Sequence, residues 1–199
     1  MRKLINSLVF VALTIISTSC LAYDSDPKNF ITELVKDATN TLSDKNISIA
    51  DKNKKISDIA LDNVDINALS LYTLGVVRKT LDQDTLKTYQ KLFEAYFLKS
   101  LTSRLTDYSE QTFEVLDVDQ KSENTTIVLS RIVKSSSQPE IKIDWRIYTK
   151  DPAKPLIRDL IVEGLSLAKT QKEEFASILN SNNNDINVLF SKLEEFINN

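Results

Sequence analysis

The side chains best equipped for acid–base or nucleophilic chemistry gather in one stretch: Asp144, Asp159, Glu163 and Ser166. A carboxylate carried into an apolar pocket has its pKa raised and can then exchange protons near neutral pH. Asp144, Asp159 and Glu163 are the candidates for that work. Ser166 is a poorer candidate, because the chain contains no histidine and so neither a Ser–His nor a Cys–His pair can form. It reads better as a helix N-cap at a strand-to-helix corner whose other member is Gly164. The sole cysteine is Cys20 and the sole methionine is Met1. Zinc and copper sites draw mainly on His and Cys, and two glycines are too few for a phosphate-cradling loop. The inventory weighs against an enzyme.

Charge narrows the field further. Lys and Arg number 25 against 28 Asp and Glu, a formal net charge of −3. An acidic chain is a poor partner for nucleic acid, which favours a basic face. It is equally ill suited to electrostatic docking on anionic lipid surfaces.

The first residues read as a secretory leader. Arg2 and Lys3 precede an apolar run from Leu4 to Ile16, and small residues lead to Cys20-Leu21-Ala22. The run is shorter than the about 20 residues a membrane-spanning helix needs. Cleavage after Ala22 is the expected processing. Cys20 would be a lipid-attachment site in a lipoprotein, but Ser17 stands where such signals want an apolar residue. The exported chain then has no cysteine and no disulfide, and is of a length to build one hydrophobic core.

The elements that position these residues follow from hydrophobic spacing. Phe30, Ile31, Leu34, Val35, Ala38 and Leu42 form a helical stripe behind Asp26-Pro27, a good helix start. Residues 44–57 are polar and lysine-rich, and read as a surface loop or helix start. Ile56, Ile59, Ala60 and Val64 resume a helical stripe, and residues 69–81 are apolar around Gly75. The longest helix is expected over 84–108, capped by Asp82 or Asp84. Its stripe is aromatic-rich, with Tyr89, Phe93, Tyr96, Phe97, Leu101, Leu105 and Tyr108. The period then changes to two over 112–118, 125–134, 140–148 and 156–163, giving four strands joined by short turns, hence an antiparallel meander. Ile141, Ile143, Trp145 and Ile147 alternate with Lys142, Asp144, Arg146 and Tyr148, so the sheet has one apolar and one wet face. Helices are expected again over 165–179 and 186–197. The layout is α+β, a four-stranded antiparallel twisted sheet with helices packed on one face. Beyond the leader it reads as one domain, 23–199: helical over 26–108, sheet over 112–163, helical over 165–197.

Three segments, in order, resemble a known family. Asp159-Leu160-Ile161-Val162-Glu163-Gly164-Leu165-Ser166-Leu167 is similar to a run that the family carries where its last strand enters a helix. Tyr89 to Phe113, ending in Gln111-Thr112-Phe113, resembles its aromatic helix and entry into the sheet, and Asp65-Ile66 through Leu74-Gly75 is the third segment. The family is MlaC, also called toluene-tolerance: periplasmic phospholipid carriers of the Mla pathway. The likeness covers about 28–193. Two features depart from it: Lys169-Thr170-Gln171-Lys172 lacks the family's aromatic, and residues 180–185 lack a glycine before the last helix.

The resemblance implies an NTF2-like cone with a helical lobe, and a soluble periplasmic monomer without catalytic activity or cofactor. Its cargo would be a glycerophospholipid, carried between an outer-membrane lipoprotein–porin complex and an inner-membrane ABC transporter with a lipid-binding ring, in maintenance of outer-membrane lipid asymmetry. The acyl chains would lie between the aromatic helix and the sheet. The apolar positions expected to line that pocket are Leu74, Val77, Phe93, Phe97, Leu101, Leu105, Ile127, Leu129, Ile143, Trp145, Ile147, Ile161, Leu165 and Leu167. No charged anchor for the head group is evident. The alternatives are an NTF2-like enzyme using one of the three carboxylates on a small apolar substrate, and an interaction protein with a filled core.

Overall fold

The structure is a computed structural model that describes residues 23–105, 111–134 and 139–199. The leader, with Cys20, and Tyr108 lie outside the described residues.

Each helix begins on a side chain suited to it. Asp26 accepts hydrogen bonds from the amides of Lys28 and Asn29 and, with Pro27 following, starts α1 (Pro27–Ser43). Ser48 caps α2 (Ile49–Asn63) and Asp65 caps α3 (Ile66–Leu74). Gly75, at φ +63°, ends α3 and opens a short 3-10 turn, Gly75–Lys79. The apolar 69–81 segment is therefore a helix and a turn. Asp82, rather than Asp84, accepts from Thr85 N at 2.7 Å before α4 (Gln83–Leu105). Ser166 caps α5 (Leu167–Asn180) as expected, and Asp185 caps α6 (Ile186–Asn198). The six caps satisfy backbone donors that each helix start leaves orphaned.

The strands are β1 (Phe113–Ser122), β2 (Thr125–Ile132), β3 (Ile141–Tyr148), β4 (Leu156–Val162) and β5 (Leu165–Ser166), in the order β1-β2-β3-β4-β5, all antiparallel. The sheet thus has five strands, not four. Glu163 and Gly164 have φ of 50° and 81°, the left-handed pair that a two-residue hairpin turn requires. They fold Leu165 and Ser166 back against Val162 and Ile161.

Register decides which side chains share a face. Val128 faces Trp145, and Thr126 faces Ile147, which in turn pairs with Ile157. These belong to the apolar face. Ile127 pairs with Arg146, and Leu129 with Asp144, which pairs with Ile161. These belong to the opposite, charged face.

The core is split between two clusters. In one, Phe30, Ile31 and Leu34 of α1 pack on Val128, Ile147 and Ile157 of the sheet. The other is wholly helical, built from Ile66, Leu69 and Leu74 of α3, Tyr89 and Phe93 of α4, Phe175 and Leu179 of α5 and Leu189 and Leu193 of α6. Val64 packs against both. The expectation that α4 lies over the sheet is therefore corrected. Its stripe is aromatic because it meets other aromatics: Phe93 has Tyr89, Tyr96, Phe97 and Phe175 within 6.4 Å, centroid to centroid. An amphipathic stripe states that a helix has a partner, not which one.

Candidate functional site

The apolar seam is built by α1 and the sheet. The spacing Phe30, Ile31, Leu34, Val35 puts four apolar side chains on one side of the helix, and the alternation of β1–β4 supplies the facing wall. Val35, Phe113, Val115 and Trp145 border this cluster, and Trp145 meets Phe113 edge-on at 6.0 Å. The polar atoms of this wall are internally satisfied. Trp145 Nε1 donates to Ser130 Oγ at 2.9 Å, and Ser130 Oγ donates to the carbonyl of Ile143. A groove of about 290 Å³ opens along the flank of the seam, between Val35, Lys36 and Thr39 of α1 and Phe113 and Val115 of β1.

A second groove, about 280 Å³, lies where the two cores meet, since Leu69 of the helical cluster and Ile147 of the sheet cluster both line it. Ala68 and Ala168 add to its apolar lining, and Tyr72, Thr125, Arg146, Tyr148, Arg158 and Asp159 bring polar groups to it. Arg158 Nε and Nη2 both reach Asp65 Oδ2 at 2.8 Å, and its guanidinium lies over the Tyr148 ring at 3.3 Å. Asp159 is buried. Its oxygens accept from Ser166 Oγ at 2.6 Å and from the amide of Ala168 at 3.0 Å. A bulge at Arg158 lets successive residues Arg158 and Asp159 both reach this groove.

The fourteen expected lining residues do not converge on one pocket. Leu74, Val77, Phe93 and Phe97 belong to the helical cluster. Leu101 is half-buried on α4, and the side chain of Leu105 lies outside the described residues. Ile143, Trp145 and Ile147 share the apolar face, whereas Ile127, Leu129 and Ile161 sit on the opposite one. Leu165 and Leu167 are 69% and 42% exposed, because the turn at Glu163–Gly164 carries them outward. Both side chains lie at the surface and line neither groove. Sequence reasoning missed the contribution of α1. The Phe30–Val35 stripe was legible there as a helix face, with nothing to say that it covers Trp145 and Ile147.

Each carboxylate of the enzymatic alternative has other work or another place. Asp159 fastens the first turn of α5. Glu163 Oε1 accepts from the amide of Lys142 at 2.5 Å. Asp144 has its pKa raised by desolvation, but it lines neither groove. Among the described residues no cluster of three or more His, Cys, Asp or Glu is arranged to hold a metal.

The family model of the MlaC protein matches residues 29–195, most of the chain. The chain belongs to the MlaC family. Its fold also matches a solved structure, that of a phospholipid-binding protein from Ralstonia solanacearum in complex with a phospholipid. The TM-score is 0.72 at 18% identity, covering 87% of this chain and 97% of that one. No curated protein matches the sequence. MlaC membership accords with an α+β chain in which no described helix is long and apolar enough to cross a membrane. It also points to a binding or carrier protein rather than an enzyme.

Proposed function

We propose that this MlaC-family protein is a periplasmic carrier that takes up the acyl chains of a glycerophospholipid between α1 and the apolar face of the sheet. It would shuttle the lipid between an outer-membrane lipoprotein–porin complex and an inner-membrane ABC transporter with a lipid-binding ring, in the service of outer-membrane lipid asymmetry. The observation that carries the reading is the α1–sheet seam itself: a helix laid on Val128, Trp145 and Ile147 by apolar contact, with a groove already open at its flank. Family membership and the phospholipid in the Ralstonia solanacearum neighbour support the class of cargo. Of the residues expected from sequence, Ile143, Trp145 and Ile147 remain as lining, joined by Phe30, Leu34, Val35, Phe113, Val115 and Val128.

Magnitudes constrain how this works. A methylene takes about the volume of a water, roughly 30 Å³, so two acyl chains with about 30 methylenes need on the order of 900 Å³. The flank groove offers about 290 Å³. Loading would widen the groove by moving α1 outward from the sheet, the acyl chains taking over part of its contacts. Burying those methylenes gains about 20 kcal/mol gross at about 0.8 kcal/mol each. The membrane offers a similar environment, so net preference is small, while passage through water forfeits nearly all of the gain. Transfer thus takes place in complexes docked at each membrane.

Trp145, the sole tryptophan, reports on the site. Native mass spectrometry of the exported protein should show one phospholipid per chain on a polypeptide beginning at Tyr23. Acyl chains brominated near mid-chain should quench Trp145 fluorescence strongly. Protein that carries no lipid, and that neither exchanges lipid nor is quenched, refutes the reading.

A further inference from the structure

The acyl seam leaves the second groove without a role, and its chemistry differs in kind. Two guanidinium groups line it in an acidic protein, and they are not equally engaged. Arg158 is held by Asp65 and stacked on Tyr148. Arg146 is 47% exposed and its nearest carboxylate oxygen, Asp159 Oδ2, is 3.9 Å away, beyond hydrogen-bond reach. Asp159 is held instead at the start of α5, by Ser166 Oγ and the amide of Ala168. Arg146 therefore presents a planar fork of donors without a hydrogen-bond acceptor among the described residues, on the wall of a cleft the size of a small anion and its hydration. Lys172 lies over the ring of Tyr72, 5.0 Å from its centroid, and is not itself a lining residue. Asp65 is taken up by Arg158 and Asp159 is tied to the start of α5, which leaves the donors of Arg146 for an oxyanion.

We propose that the groove between Arg146 and Arg158 binds a phosphate group. Guanidinium forks recognise phosphate oxygens in pairs, and Arg158, fixed by its aromatic and carboxylate partners, loses little freedom on binding. The phosphate can come from a lipid head group, in which case this site rests on the carrier reading and orients the cargo at the meeting point of the two cores. It can equally be free phosphate.

The test uses the full exported protein, delipidated, in three forms: unaltered, Arg146→Gln, and Lys169→Gln as a surface-charge control. Inorganic phosphate is titrated calorimetrically. Loading of phosphatidylglycerol is compared with that of diacylglycerol of the same chains by native mass spectrometry. Removing one charge-assisted donor should weaken phosphate binding about tenfold or more, with Lys169→Gln unchanged. Loss of the preference for phosphatidylglycerol in Arg146→Gln identifies the head group as the source. Phosphate binding that depends on Arg146 without any lipid preference identifies free phosphate. The proposal is overturned if Arg146→Gln changes neither phosphate affinity nor lipid preference. Failure of the protein to load any lipid would sink the carrier reading and leave the phosphate titration to decide this one.

Discussion

The two cores can be told apart by one pair of substitutions, Phe30→Ala and Phe93→Ala. Phe30 is 1% exposed in the α1–sheet cluster, and Phe93 is 2% exposed in the helical one. Truncating either ring in delipidated protein should cost about 3–5 kcal/mol, the range for a buried Phe→Ala with its cavity. At a urea m value of about 2 kcal/mol per molar this lowers the midpoint by about 1.5–2.5 M. Lipid changes the comparison. If acyl chains lie against the sheet, about four methylenes can fill the space left by the Phe30 ring and recover roughly 3 kcal/mol. The loaded Phe30→Ala protein should then fall only about 0–2 kcal/mol below the loaded unaltered protein. Phe93→Ala should cost the same with and without lipid, since its cavity lies among Tyr89, Tyr96, Phe97 and Phe175. The assay is urea unfolding followed by Trp145 fluorescence, with and without bound phosphatidylglycerol. A Phe30→Ala cost unchanged by lipid, with a Phe93→Ala cost that shrinks, would place the acyl chains in the helical core and refute the seam.

Two further outcomes follow from single residues. Burial, and then the charge of Asp37, whose carboxylate accepts its hydroxyl at 3.1 Å, push the Tyr23 phenol up to about 12. Its folded value is raised, so its contribution to stability is present below the unfolded value near 10 and is lost as pH rises from there through about 12. Spectrophotometric titration compared with Tyr23→Phe checks this, and a normal phenol titration would contradict it. Gly164 lies at φ +81° with open space where a Cβ would stand, so Gly164→Ala should cost about 1–2 kcal/mol from backbone strain alone, measured by urea midpoint. A neutral substitution would mean the turn relaxes.

Much of the architecture was written in local patterns. Alternation through Ile141–Ile147 gave the strand and its two faces, Asp26-Pro27 gave the start of α1, and Ser166 gave the cap of α5, because each depends on residues within a few positions. The fifth strand was not legible, since two residues carry no period. The composition of the site was not legible either. Period two says that Ile127 and Leu129 share a face and that Trp145 and Ile147 share a face. It does not say whether the two faces are the same, and the register Ile127 to Arg146 shows that they are opposite. Asp159 illustrates the same limit. Its place in a recognisable run was plain, but its work for α5 depends on a hairpin turn that brings Ser166 back beside it.

The way the two lobes are fastened explains which of them can yield to a ligand. The helical lobe is held to β4 by polar contacts from three successive residues. The Ile157 carbonyl accepts from the amide of Asp65 at 2.9 Å, Arg158 pairs with the Asp65 carboxylate, and Asp159 holds Ser166 and Ala168. Parting these would leave charges and backbone groups unmatched, at a cost of several kcal/mol. The hold of α1 on the sheet is of another kind. Its buried face is Phe30, Ile31, Leu34 and Val35, and among its polar ties to the sheet is Lys28 Nζ on the carbonyl of Leu116 at 3.0 Å, an exposed contact that water can replace. Among the described residues, lifting α1 uncovers mainly hydrocarbon, because Trp145 Nε1 and Ser130 Oγ are satisfied within the sheet. An acyl chain can restore that hydrocarbon contact in kind. The exchange of helix for lipid is therefore close to balanced at the α1 seam and unfavourable at β4, which favours the seam over the helical core as the place for the proposed cargo.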